Sequence, residues 1–196
     1  MPAPHPQESR IGIILAGGAS RRMGQDKAAL PWGDGTLLAH MRALLLKAGV
    51  DRVVVLGKPE EGDGMADKTP FAGPVRALLD YLRPAEAGLQ YVVVPVDMPY
   101  LSPALLAPLV TARGWCRYDG YVFPFSAASG QIETSESPRL RDLLLLNNTA
   151  LLTVPAFADH AFGNLNHPDD LPSGHPAHVT HNRHPHAKGQ AHECAS

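Results

Sequence analysis

Five short apolar runs recur along the chain, each bounded by turn residues: IGIILA (11–16), DRVVVLG (51–57), QYVVVPVD (90–97), DGYVFPF (119–125) and ALLTVPAF (150–157). Their β-branched and aromatic content, and their length, read as strands. The intervals between them carry helical segments. GTLLAHMRALLLKAG (35–49) offers Thr36 as an N-cap and Gly49 as a left-handed stop. PVRALLDYL (74–82) opens on a proline at the first helical position and ends before Pro84. SPALLAPLV (102–110) and SPRLRDLLLLN (137–147) each start Ser-Pro, and Pro108 should bend or shorten the first of them. Strand alternating with helix predicts a mostly parallel sheet covered by helices on both faces, a three-layer α/β/α sandwich in one domain with right-handed crossovers.

Such sheets bind ligands outside the carboxyl ends of their strands, at the point where strand order reverses. The first run ends in LAGGASRRMGQDK (15–27), and Asp97 closes the third. Gly17 and Gly18 permit close approach of a ligand to the backbone, and their N–H groups could form an anion-binding concavity. Arg21, Arg22 and Lys27 add donors for charge-assisted hydrogen bonds. The loop matches neither the Walker pattern nor the dinucleotide G-x-G-x-x-G, so the residues leave two readings open: a phosphate cradle, or a glycine turn with solvated charges. Asp97 likewise reads either as a turn cap or as a carboxylate for a bound Mg²⁺.

Composition narrows the classes. With 196 residues, 44% hydrophobic and 18% charged, the chain can bury a sizeable core. A net charge of −2 and 6% aromatics disfavour a nucleic-acid module. No run of 18 apolar residues suggests a membrane span, and MPAPHPQESR lacks the apolar core of a signal peptide. Cys116 and Cys194 form no CxxC pair, which fits a reducing, cytoplasmic setting. The expected layout is a disordered N-terminus (1–10), a folded domain (11–171) and a disordered tail (172–196). The tail holds six of the ten histidines, between His175 and His192. Pro176 and Pro185 disfavour a helix there, and a solvated tail is expected over a metal-binding one. SAASGQIETSES (126–137) reads as a flexible loop, and His40 as a helix residue rather than a ligand.

Three segments together carry a family resemblance. LAGGASRRMGQDK (15–27) resembles the N-terminal signature of the NTP-transferase superfamily, in the form with two glycines and Asp before Lys. VPVDMPYL (94–101) resembles the family's metal-site segment, and FGNLNHPDDL (162–171) its closing motif. On these segments the chain resembles the molybdenum cofactor guanylyltransferases. The resemblance implies a Rossmann-like nucleotidyltransferase domain over 11–171 that moves GMP from GTP to the phosphate of molybdopterin and releases pyrophosphate. It implies Arg22, Lys27 and Asp97 as catalytic residues. It implies Leu15, Ala16, Gly17, Gly18, Lys27, Asp67 and Asp97 at the nucleotide, with Asp97 holding Mg²⁺. Its implied partners are GTP, a molybdopterin-type phosphate acceptor and molybdoenzyme-maturation proteins, with no nucleic acid and no membrane.

The chain departs from the family pattern in three places. GPVRA (73–77) stands where G-P-L-A-G is usual, so Arg76 and Ala77 replace small residues near the nucleotide. Gly57-Lys58 stands where an Asn often ends the second strand. No His-Pro strand entry precedes the fourth helix. These departures keep alternatives open: CTP or a sugar phosphate as substrate on the same fold, or a nucleotide-binding regulator without turnover.

Overall fold

The computed structural model describes residues 9–17, 26–62, 64–66, 74–83, 88–130, 132–134, 137, 139–158, 160–166 and 170–171. Its strands are β1 (Arg10–Leu15), β2 (Pro31–Trp32), β3 (Gly35–Thr36), β4 (Arg52–Leu56), β5 (Gly64–Met65), β6 (Gln90–Pro95), β7 (Cys116–Tyr118), β8 (Phe125–Ala128) and β9 (Ala150–Leu152). Its helices are α1 (Leu37–Ala48), α2 (Pro74–Leu82), α3 (Pro103–Thr111) and α4 (Leu140–Leu146). Seven strands form one sheet in the order β5-β4-β1-β6-β8-β7-β9, and β2 pairs with β3 in a small hairpin. β4, β5 and β6 run parallel to β1 through direct or successive pairing; β8 runs against β6 and β7, and β9 is parallel to β7.

Alternate residues of the central strands feed two separate cores. Ile14, Val53, Val55, Val92 and Val94 pack with α1 and α3. Ile11, Ile13, Leu15, Val54, Leu56, Tyr91 and Val93 pack with α2 and α4. Both faces are therefore covered, which is why β1, β4 and β6 read as unbroken apolar runs rather than alternating ones. α1 sits close on β1: a Cβ on Gly12 would lie 2.9 Å from Leu45 Cδ1.

The capping signals hold. The Ala39 N–H donates to Thr36 Oγ1 at 3.1 Å, and Gly49 ends α1 at φ 103°. Ser102 caps α3 through the Leu105 N–H at 3.3 Å, with Pro103 at the first turn and Pro108 inside the helix. The second half of the chain needs correcting. Residues 119–120 are turn, with Gly120 at φ 80°, and 122–124 are bend, so DGYVFPF is not a strand before its last residue, Phe125. The strands flank it, at Cys116–Tyr118 and Phe125–Ala128. FSAA extends into the segment expected to be a loop. It lacks β-propensity apart from Phe125, and is a strand because β6 and β7 supply ladders on both its sides. Its Ser126 is fully buried and satisfied, donating to Gly114 O at 3.2 Å. α4 starts at Leu140, with Arg139 rather than Ser137 at the N-cap position; Ser137 instead hydrogen-bonds Asp142.

Candidate functional site

The strand order reverses at β1. The chain leaves β1 through α1 to β4 and β5 on one side, then returns through α2 to β6 on the other. The carboxyl ends of β1 and β6 lie side by side, with Leu15 paired to Pro95 and the Val96 N–H donating to Leu15 O at 3.0 Å. This is the switch-point crevice expected of a doubly wound sheet.

Asp97 sits just past β6 on a firmly held turn. Met98 and Leu101 on either side of the Pro99-Tyr100 pair are buried, and the Leu165 N–H donates to the Asp97 carbonyl at 2.8 Å. His40 of α1 donates from Nε2 to the Pro99 carbonyl at 2.9 Å. The histidine read as a helix residue is one, and its ring also ties α1 to the Asp97 turn.

Lys27 reaches the same point from the other strand. It opens a 3-10 turn (Lys27–Ala29) capped by Asp26, whose Oδ1 accepts the Ala28 N–H at 3.1 Å. Ala28 and Leu30 are buried beneath α1, which fixes where the lysine projects. Lys27 Nζ lies 2.7 Å from Asp97 Oδ2, with the side chains 15% and 19% exposed. Asn166 Oδ1 lies 3.5 Å from the same nitrogen, and the Asn166 N–H donates to Asp170 Oδ2 at 2.6 Å. Three segments far apart in sequence thus meet on one ammonium group.

Of the residues expected at the site, Leu15, Ala16, Gly17, Lys27 and Asp97 come together at these strand ends. Gly18, Arg21, Arg22 and Asp67 lie outside the described residues, as does the histidine-rich tail. One detail differs from expectation. The N–H groups of Ala16 and Gly17 both donate to Leu56 O, at 2.9 and 3.0 Å, so Gly17 does not offer its amide to an anion here. The reason is register: β4 pairs with β1 to its last residue, and its final carbonyl catches both amides as the chain leaves the strand. Arg76, in the divergent GPVRA, pairs along α2 with Asp80 at 3.0 Å, which suits a helix-surface role.

Sequence reasoning missed Asn166, Asp26 and Lys58. Asn166 lay within the quoted closing motif but carried no assigned role. Lys58 stands beside Asp26 and within 3.3 Å of Glu60. Its bond to the Asp26 carboxylate is the chief cause holding the Lys58 ammonium above the usual lysine range, with Glu60 adding to it. Glu60 is held below the usual carboxylate range, first by its own backbone N–H and then by Lys58.

Among the described residues no group of three or more His, Cys, Asp or Glu side chains could hold a metal ion. A closed, all-protein cage is thus missing there, whereas a single carboxylate beside a lysine suits Mg²⁺, which usually takes one or two carboxylates and completes its shell with water and phosphate oxygens. No helix among the described residues is long and apolar enough to cross a membrane.

A Lys–Asp pair at the switch point of a mostly parallel sheet makes these strand ends the candidate site of an α/β fold. Comparison with known proteins narrows this. The model of the MobA-like NTP transferase domain matches residues 12–186, and the chain belongs to that family. A molybdenum cofactor guanylyltransferase of Xanthomonas euvesicatoria is 52% identical over 104 residues, 53% of this chain and 55% of that protein. One from Rhizobium johnstonii is 30% identical over 188 residues, 82% of this chain and 88% of that protein. The chain spans about half the length of most of the curated relatives it matches. In fold it resembles a nucleotidyl transferase from Methanothermobacter (TM-score 0.60, 19% identity, 84% of this chain and 94% of that one). It also resembles molybdopterin-guanine dinucleotide biosynthesis protein A from Archaeoglobus fulgidus (TM-score 0.57, 17% identity, 82% and 94%).

Proposed function

We propose that the protein is a Mg²⁺-dependent nucleotidyltransferase that transfers GMP from GTP to the terminal phosphate of molybdopterin. The observation that carries this reading is the Lys27–Asp97 pair at the reversal of strand order, joined there by Asn166. Relatives named molybdenum cofactor guanylyltransferase support the choice of base and acceptor.

In the reaction an oxygen of the acceptor phosphate bonds to the α-phosphorus of the triphosphate. The bond from that phosphorus to its bridging oxygen breaks, and pyrophosphate leaves. Both reactants are anions, so charge neutralisation and in-line alignment supply most of the catalysis. Lys27 provides a positive charge held in place by a buried turn. Arg22 is assigned a second one. Asp97 would hold Mg²⁺, which supplies charge stabilisation for the triphosphate and the departing pyrophosphate. Leu15, Ala16 and Gly17 form the floor on which the base would rest, with Gly18 and Asp67 proposed to complete its contacts. Asn166, hydrogen-bonded to Lys27 and Asp170, is placed to orient the lysine.

The test is pyrophosphate release with GTP, CTP, ATP and UTP in turn, with Mg²⁺ and metal-loaded molybdopterin. Release with GTP alone, abolished in Asp97→Ala, is the expected result. Release with CTP would keep the chemistry and reassign the base. GTP binding without release under any condition would refute the transferase reading.

A further inference from the structure

The turn after β4 touches both ends of the glycine-loop region. At the near end, Leu56 O holds the Ala16 and Gly17 amides, and Gly57 presses against Gly17. A Cβ on Gly57 would lie 2.2 Å from Gly17 Cα and 2.4 Å from its nitrogen, and Gly57 has φ +88°. Only glycine fits without a backbone shift. At the far end, the next residue, Lys58, grips Asp26, which is both the cap of the 3-10 turn and the neighbour of Lys27. Two consecutive residues therefore hold the entry to the loop and its exit.

The clasp is itself braced. The Glu61 N–H donates to Lys58 O at 3.2 Å and the Gly64 N–H to Glu61 O at 2.8 Å. Arg42 of α1 pairs with the Glu61 carboxylate at 3.2 Å. A Cβ on Gly64 would fall 1.6 Å from Lys58 O, so this turn is packed too closely for a larger residue. The Gly57 N–H donates to Met65 O at 2.9 Å, which fastens the turn to β5.

From this geometry we infer that Gly57 and Lys58 form a clasp joining Gly17, at the end of β1, to Asp26, at the start of the 3-10 turn, and that Lys58 is a positioning residue for Lys27 acting through Asp26. Lys58 does not serve as a phosphate ligand: its ammonium faces two carboxylates, Asp26 and Glu60, so the group carries a net negative charge. Its work is mechanical. Without the pair, the turn bearing Lys27 keeps its cap and its buried Ala28 but loses its tie to β4. The role in turnover rests on the transferase reading above; the clasp itself does not.

Lys58→Met, Lys58→Arg and Asp26→Asn separate these points, because Asn keeps an oxygen for the Ala28 N–H while removing the charge. Two readouts are made on the full chain. The first is amide hydrogen exchange over residues 26–30, compared with the global melting temperature. Lys58→Met and Asp26→Asn should speed exchange there at unchanged global stability, and Lys58→Arg should restore it. The second is pyrophosphate release. Lys58→Met should lower kcat by about 10- to 100-fold with little change in the acceptor KM, as expected when a charged group is misplaced by about 1 Å; Lys58→Arg should recover most of it. Unchanged exchange in Lys58→Met and Asp26→Asn would overturn the clasp. Faster exchange with wild-type kcat would overturn the positioning role. A wild-type protein that releases no pyrophosphate would defeat the proposed reaction, and the exchange readout would still decide the clasp. Should Lys58→Met unfold, Asp26→Asn carries the same comparison.

Discussion

Lys27 and Asp97 should be energetically coupled in the free protein, and a double-mutant cycle measures by how much. At 2.7 Å their gross attraction is roughly 6 kcal/mol at an effective dielectric of about 20. Most of that is offset by desolvation, because both side chains are more than four-fifths covered. Breaking a fully buried pair costs about 3–5 kcal/mol, and an exposed pair contributes about 0–1 kcal/mol. The site lies between, so the net coupling should be about 1–2 kcal/mol. Asp97→Asn leaves the Lys27 charge with Asn166, at 3.5 Å, as its partner among the described residues. Lys27→Met strands the carboxylate instead. The double variant removes both charges and should be less destabilised than the two single costs combined. Urea titrations of wild type, both single variants and the double variant, at low and moderate salt, give the coupling directly. Each kcal/mol corresponds to about 2–4 °C in Tm for a chain of this size. Additivity within about 0.5 kcal/mol would refute the claim that this pair is a shielded electrostatic unit. The same four proteins assayed for turnover should show each single substitution lowering kcat by at least about 10²-fold, with the double variant no worse than the poorer single one.

Three further outcomes follow from other parts of the molecule. Gly57→Ala should destabilise by about 2–4 kcal/mol in urea, from left-handed strain plus the collision with Gly17; a cost below about 0.5 kcal/mol would show that the two backbones separate freely. Burial pushes the Tyr91 hydroxyl up to about 12 from its usual 10, so the fold favours the neutral phenol more than the unfolded chain does. That contribution is complete below pH 10 and is lost as pH rises from 10 to 12, by up to about 1.4 kcal/mol for each unit of the shift. Tyr91→Phe should therefore flatten the alkaline fall in urea midpoint, and an unchanged slope would assign the fall to other groups. Burial also raises the Cys116 thiol above its usual range, so Ellman's reagent should label it far more slowly in the folded protein than in urea; equal rates would contradict its buried position on β7.

The elements that were legible in the sequence are those whose signals are local. IGIILA, DRVVVLG and QYVVVPVD form strands over Arg10–Leu15, Arg52–Leu56 and Gln90–Pro95, because buried parallel strands need an apolar side chain on both faces. Thr36, Gly49 and Ser102 set helix ends within a turn of themselves, and that chemistry needs nothing from the rest of the chain. The two residues at the centre of the candidate site, singled out by the family resemblance, also lie where the strand pattern points. Lys27 and Asp97 each follow a recognisable strand, and strand ends at a reversal of order are where such sheets bind their ligands.

The remainder was decided by tertiary structure. FSAA has little strand character of its own and is a strand because β6 and β7 flank it; DGYVFPF has the composition of a strand and is turn and bend before Phe125, because the chain must reverse before β8. The meeting of Asn166 with Lys27 depends on the crossovers that bring the chain's last described loop back to β6, where the Leu165 amide catches the Asp97 carbonyl. Glycine at position 57 and lysine at 58 carry no local signal of their task. It exists only once β4 lies beside β1, so that one glycine can rest on Gly17 and one ammonium can reach Asp26. Local propensity and caps act over a few residues, and a sequence states them outright. Contacts across tens of residues exist only after the sheet has chosen its order and register, and that choice is a property of the packed chain.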